Sequence, residues 1–269
     1  MINRFNVKFL EIENDVENKI LAVLDDDYFT ISLERQKYHE KHFTDFVRLY
    51  LKKGDVALDL GANLGYHTIT MAELVENSGK ILSFEPQRII FQQLNCNVFL
   101  NRLDNVDTYN LAVGNSNSDV FIDSPNYHRI NPMYTNIGNT SINTDNVGYK
   151  VHQIQLDSLE LNRLDFIKLD IQGYELFALQ GAKNTIDKFK PVMFMEIEEK
   201  QLEKFKTSSV DLINYTKELG YKLYRVIVTG FEIISCKEMP NCVTDDYLCI
   251  PIENTTIDLS KYPYKLIKI

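Results

Sequence analysis

The chain has 269 residues, 44% of them hydrophobic and 25% charged, which suits one large α/β domain or one domain with additions. A formal charge of −9 and an isoelectric point near 5.1 disfavour nonspecific binding to nucleic acid or to an anionic membrane. No apolar run approaches the roughly 20 residues that span a bilayer, and residues 1–6 carry no signal-peptide core, so the expectation is a cytoplasmic chain without a transmembrane segment.

Residues 1–35 hold short apolar alternations (Val7, Phe9; Ile20, Ala22; Phe29, Ile31, Leu33) between acidic and Asn-rich turns. They read as a small strand-rich extension. Residues 36–269 read as the main domain. Phe43, Phe46, Val47 and Tyr50 are helically spaced within residues 36–51. The pattern then alternates: strand 56–60, helix 66–77, strand 80–84, helix 87–100, strand 106–113. Such alternation implies a parallel sheet with crossover helices. Residues 123–150, rich in Asn, Ser, Thr, Pro and Tyr, interrupt it. Loops of this length are usually functional or disordered, and three tyrosines with Arg129 suit a substrate-side loop; a solvated insertion is the alternative. Beyond it come strands 151–155 and 165–170, a helix 176–189, a strand 192–196, a helix 209–219 closed by Gly220, and strands 221–228, 231–235 and 247–250.

The four cysteines, Cys96, Cys236, Cys242 and Cys249, form no C-x-x-C pair. Free thiols of a reducing compartment are the main reading, with a Cys236–Cys242 disulfide as the alternative. Sequons at Asn139 and Asn254 read as chance without a secretion signal.

The chemistry concentrates at strand ends. An apolar run ends in Asp59, and a glycine turn with Gly61 and Gly65 follows at once. Glycine lets backbone approach a ligand closely. Glu85 ends the next strand, twenty residues past Gly65, where a carboxylate can accept from both hydroxyls of a ribose. The three-glycine dinucleotide fingerprint is missing, and Asp59 would repel a pyrophosphate. S-adenosylmethionine has a sulfonium and no phosphate, so it fits better than NAD; a ligand-free turn is the third option. Ligands of open α/β sheets bind at the carboxyl ends of strands, where Asp170 and Glu196 also fall. Either could be a general base for a substrate hydroxyl, or both could hold a divalent cation such as magnesium or manganese. Helix capping, or pairing with Lys168, is the structural alternative. His67 could touch the cofactor or the substrate, or be structural. His39 and His42 could cover the cofactor pocket but read mainly as surface, and His128 could contact substrate from the long loop.

The ordered series Asp59-Leu-Gly61-Ala-Asn63-Leu-Gly65-Tyr66-His67-Thr68, Phe84-Glu85-Pro86, Asn110-Leu-Ala112, Leu156-Asp157-Ser-Leu, Lys168-Leu-Asp170-Ile-Gln172-Gly173-Tyr-Glu175, Gly181-Ala182 and Pro191 to Glu196 resembles FkbM-type S-adenosylmethionine-dependent methyltransferases over residues 36–250. The resemblance implies a Rossmann-like class I methyltransferase fold with a mostly parallel seven-stranded sheet. It implies methyl transfer to oxygen, commonly a hydroxyl of a sugar or a natural product. It places Asp59, Gly61, Asn63 and Gly65 at the methionine end of the cofactor, Glu85 at the ribose, and Asn110 to Ala112 near the adenine. Tyr66, His67 and Pro86, from the same blocks, complete the candidate cofactor set. Asp170 stands where metal-dependent relatives of this fold bind magnesium, but the lysine base that follows there is not recognisable, so the metal and the base stay open. Gln172 stands where many members have Glu. A sugar or glycan is the expected acceptor, and a catalytically silent domain within a glycan-building assembly is the alternative.

Overall fold

The computed structural model describes residues 6–12, 19–24, 28–36, 38–123, 141–143, 145, 147–227 and 244–269. Its centre is an eight-stranded sheet. The first strands to enter it are β3 (Val56–Leu60), β4 (Lys80–Phe84) and β5 (Val106–Tyr109). They are joined by α3 (Tyr66–Val75) and α4 (Arg88–Leu100). The other strands are β10 (Phe166–Leu169), β11 (Val192–Glu198), β12 (Tyr221–Ile227), β13 (Thr244–Pro251) and β14 (Lys265–Lys268). The order is β14-β12-β13-β11-β10-β3-β4-β5. Pairs from β5 through β11 are parallel, and those involving β12, β13 and β14 are antiparallel. Seven strands thus form the mostly parallel sheet that the α/β alternation predicts. The eighth, β14, comes from the C-terminal segment and adds to the antiparallel edge.

The central strands are buried almost continuously, on both faces. Leu58, Leu60, Phe166, Ile167, Leu169, Met193 and Met195 are all at most 1% exposed, as expected where helices cover both sides of a parallel sheet. On one face α2 (Lys41–Tyr50) inserts Phe43, Phe46 and Val47 against Phe166 and Phe194. On the other face lie α5 (Glu175–Gln180) and α6 (Lys183–Phe189) with α8 (Ser209–Glu218). The single helix predicted over 176–189 is therefore two, broken at Gly181-Ala182. A Cβ on Gly181 would sit 1.9 Å from the Gly114 carbonyl oxygen, so the chain bends where two backbones meet. A short α7 (Glu199–Lys204) follows β11.

The predicted strand 106–113 divides. Its second half becomes β6 (Ala112–Val113), which leaves the main sheet for a four-stranded sheet with β7 (Ser118–Ile122), β8 (Ile142–Asn143) and β9 (Tyr149–Ile154), in the order β6-β9-β7-β8. Most of the loop read at 123–150, with His128 and Arg129, lies outside the described residues, as do the strand read at 231–235, Cys236 and Cys242. Cys96 and Cys249 are free thiols. No helix among the described residues is long and apolar enough to cross a membrane.

The N-terminal extension contains an antiparallel hairpin of β1 (Val7–Ile12) and β2 (Lys19–Leu24). Its third apolar alternation, however, forms helix α1 (Tyr28–Gln36). Phe29 and Leu33, at i and i+4, both bury, so the same spacing serves one helical face. The extension docks on α4 through the buried Asn97. Its Oδ1 accepts from Ala22 N at 2.6 Å, and its Nδ2 donates to Leu64 O at 2.7 Å.

Replacing Asn97 by Ala strands these buried backbone groups. The expected loss is roughly 2–3 kcal/mol in urea unfolding, with earlier proteolytic cleavage near residues 19–24. A variant as stable and as protease-resistant as the parent would refute this account of docking.

Candidate active site

The site forms where β3, β4, β10 and β11 end. The turn after β3 is built around Gly61. Its φ is +79°, and a Cβ there would lie 1.8 Å from the Asp170 carbonyl oxygen. Gly61 N and Ala62 N both donate to Phe84 O at 3.0 Å, which binds the turn to the end of β4. Asn63, also left-handed at φ +50°, donates its N–H to Glu85 Oε2 at 2.9 Å. Gln87 N donates to Glu85 Oε1 at 2.8 Å. Asn110 Nδ2 donates to the carbonyls of Glu85 and Pro86, each at 2.9 Å.

These residues border an open cleft of about 610 Å³. Its apolar walls are Phe84, Leu111, Ala112, Val113, Ile142 and Ile171, and its polar groups include Asn63, Glu85, Asp170 and Gln172. An apolar slot with a few convergent polar groups suits a nucleoside. Each Glu85 oxygen takes one backbone N–H and keeps a second lone pair for a ribose hydroxyl. The residues present therefore fit S-adenosylmethionine.

Beside the cleft lies a rim of acids. Lys168 and Asp170 share one face of β10, and Lys168 is in register with Asp59 on β3. The Lys168 ammonium, 4% exposed, sits 3.7 Å from Asp59 Oδ1 and 3.4 Å from both Asp170 Oδ2 and Gly61 O. Burial opposes its charge, but Asp170 and Asp59 outweigh that and raise its pKa, so it stays an ammonium. Gln172 Nε2 donates to Asp170 Oδ1 at 3.1 Å. Glu196 on β11 follows Met195, which pairs with Leu169, and so stands level with Asp170. It also pairs across to Asp246 on β13. Burial, then Asp170 and Asp246, push Glu196 well above the usual carboxylate range. Burial also raises Asp246, against the pull of His42, whose Nε2 lies 2.5 Å from Asp246 Oδ2.

Next to this rim His39, Glu40 and His67 meet. His67 Nε2 is 2.8 Å from Glu40 Oε2, and His39 Nε2 is 3.2 Å from Glu40 Oε1. Burial opposes ionisation of Glu40, yet the two histidines hold its pKa well below the usual range. Burial lowers that of His67. Glu40 has a left-handed backbone, φ +44°.

Several candidates sit differently from the sequence reading. Asp59 is not on the rim. It is 0% exposed, and Oδ2 accepts from Thr68 Oγ1 at 2.6 Å, because its side chain points under α3. Gly65 caps α3 with φ +96°, packed against Leu94. Tyr66 is buried, and its hydroxyl accepts from His39 N at 3.2 Å. His67 is also buried and faces Glu40 rather than the cleft wall. His42 is 4% exposed, not a surface group, because α2 presses it toward β13. Gly61, Asn63, Glu85, Pro86, Ala112 and Asp170 line the cleft. Sequence reasoning missed Glu40 and Asp246. Glu40 adjoins His39, which is a faint signal, whereas Asp246 is brought in only by antiparallel pairing.

Residues 59–223 match the model of the methyltransferase FkbM domain. Solved structures resemble the chain at low identity. A methyltransferase FkbM from Methylobacillus flagellatus KT is 19% identical with a TM-score of 0.49, covering 74% of this chain and 44% of its own. A SAM-dependent methyltransferase from Aquifex aeolicus is 15% identical, TM-score 0.43, over 76% of this chain and 92% of its own. A precorrin-6y C5,15-methyltransferase from Geobacter metallireducens GS-15 is 13% identical, TM-score 0.43, over 78% and 86%. This chain thus spans under half the length of the Methylobacillus protein. No curated protein matches it in sequence.

Two outcomes follow from the geometry. Lys168→Met leaves Asp59 as an unpaired buried charge, and the expected loss is about 3–5 kcal/mol in urea unfolding. Adding Asp59→Asn should recover part of it; no recovery would show that Lys168 does not neutralise Asp59. Burial pushes Glu85 up to about 7. Below that pH the carboxyl is protonated and loses acceptor capacity for ribose. Affinity for S-adenosylhomocysteine should therefore rise roughly tenfold between about pH 6 and about pH 8 by calorimetry, and Glu85→Gln should flatten the profile. A flat parent profile would remove Glu85 from the ribose.

Proposed function

The chain belongs to the FkbM methyltransferase family, and from that premise we propose that it transfers methyl from S-adenosylmethionine to a hydroxyl oxygen of a sugar or glycan. The observation that carries this reading is the acid rim. Asp170 lies on the cleft with Glu196 and Asp246 beside it. Carboxyl groups in such density suit an acceptor made of hydroxyl donors. Tyr174, also on the cleft, stacks on Phe177 at 4.6 Å between ring centroids and offers an aromatic face to a sugar ring.

Bound S-adenosylmethionine supplies a methyl on positively charged sulfur, which an acceptor oxygen takes by in-line displacement. Glu85 holds the ribose hydroxyls, and the backbone at Gly61 and Asn63 shapes the adjoining wall. Asp170 accepts the acceptor's hydroxyl proton. Lys168 and Gln172 each bond one of its oxygens and fix its orientation. Burial and the acids beside it raise Glu196 well above the usual carboxylate range, so it competes less for that proton. Lys168 cannot serve as the base, because it stays charged. Alignment of the reacting atoms supplies most of the acceleration, and the positioned base adds roughly 100- to 10,000-fold.

The test is a screen of mono- and oligosaccharides against phenolic natural products with methyl-labelled donor, the methoxy carbon being located by NMR. Asp170→Asn should lower kcat by roughly 100-fold or more while the Kd for S-adenosylhomocysteine stays within about threefold of the parent. Near-normal turnover in that variant would remove Asp170 as the base. Turnover confined to phenols would replace the sugar.

A further inference from the structure

We propose that His39, Glu40 and His67 form a binding site for one divalent cation of the zinc type. His39 and Glu40 lie in the segment between α1 and α2, and His67 is in the first turn of α3. One ligand atom from each lies within 4.8 Å of the other two. Both Nε2 atoms face the same carboxylate, at 2.8 and 3.2 Å, and the two rings stack at 5.6 Å between centroids. Donors around a tetrahedral zinc stand about 3.3 Å apart. The two imidazole nitrogens stand at comparable distances from the Glu40 oxygens, and the His39 and Glu40 side chains are 34% and 30% exposed.

The donor set selects the ion. Imidazole nitrogens with one carboxylate suit zinc and its neighbours, whereas magnesium prefers oxygen alone. Three protein ligands leave a tetrahedral ion one open position. His67 is 6% exposed and its Nε2 is already directed at the Glu40 carboxylate, so packing fixes one donor of the set. Charge agrees with this. Glu40, Asp170, Glu196 and Asp246 act on one another here, while Lys168 is the buried ammonium among them. A divalent cation offsets the excess. The site is separate from the Asp170–Glu196 pair and does not depend on the identity of the acceptor.

The full chain, stripped with a chelator and dialysed, is titrated with zinc by calorimetry and its metal counted by elemental analysis. Cobalt serves as a spectroscopic probe. The expected result is one ion per chain, the visible absorption of four-coordinate cobalt, and a rise in Tm on adding zinc. His39→Asn, at a half-exposed ring, should keep the parent circular dichroism and bind at least about 100-fold more weakly. Asp170→Asn and Cys96→Ser should bind as the parent does. A folded parent that takes up no ion overturns the proposal. So does a His39→Asn variant that binds like the parent, or loss of the ion in Asp170→Asn or Cys96→Ser.

Discussion

The buried ammonium of Lys168 is the point on which the fold and the site both rest. It stands on β10, beside β3, with Asp59 beneath it and Asp170 above. Below, Asp59 is completely enclosed and also takes the Thr68 hydroxyl, which in turn meets Ser83 at 3.0 Å. That chain of contacts ties α3 to β3 and β4. Above, the same nitrogen reaches Gly61 O and Asp170, the turn and the acid that border the cleft. An isolated buried carboxylate is costly, and one without a counter-charge would be protonated. One cation therefore lets two acids occupy adjacent levels of the sheet, one structural and one chemical.

The acids at the strand ends have similar sequence settings but different surroundings. Glu85 is gripped by two backbone N–H groups, yet burial dominates and pushes it up to about 7. Burial, and then acidic neighbours on both flanking strands, raise Glu196 well above the usual carboxylate range. Asp170 is partly exposed and sits against the ammonium. Register produces this crowding: Leu169 pairs with Met195, which sets Asp170 level with Glu196, and β13 returns antiparallel to bring Asp246 opposite Glu196.

Much of this was legible in the residues. The runs 56–60, 80–84 and 165–170 are apolar and short, and they alternate with helical spacing, so the parallel core and the acids at its ends could be read directly. Gly61 was legible because a glycine directly after a strand signals close backbone approach. The side on which Asp59 falls was not. Period 2 separates the faces of a strand but does not say which face α3 covers. Phe29 and Leu33 were ambiguous because four-residue spacing satisfies both a helix and an alternating strand. His67 is 27 residues from Glu40 in sequence, and Glu196 and Asp246 lie on different strands; such meetings depend on tertiary packing that no local pattern encodes.

The same electrostatics constrain what can approach. A sulfonium is drawn toward a rim rich in carboxyl groups, and so is any acceptor that offers hydroxyl protons. A phosphate is not: Asp170, Asp59, Glu40 and Glu196 share one ammonium, and a carboxylate near a phosphate raises its energy unless a cation intervenes. The described rim presents no arginine fork of the kind that binds phosphate bidentately. A free sugar or glycan hydroxyl therefore suits the site better than a sugar whose phosphate must sit at the rim. On the proposed function, selectivity for uncharged acceptors follows from the acids of the rim rather than from a separate recognition element.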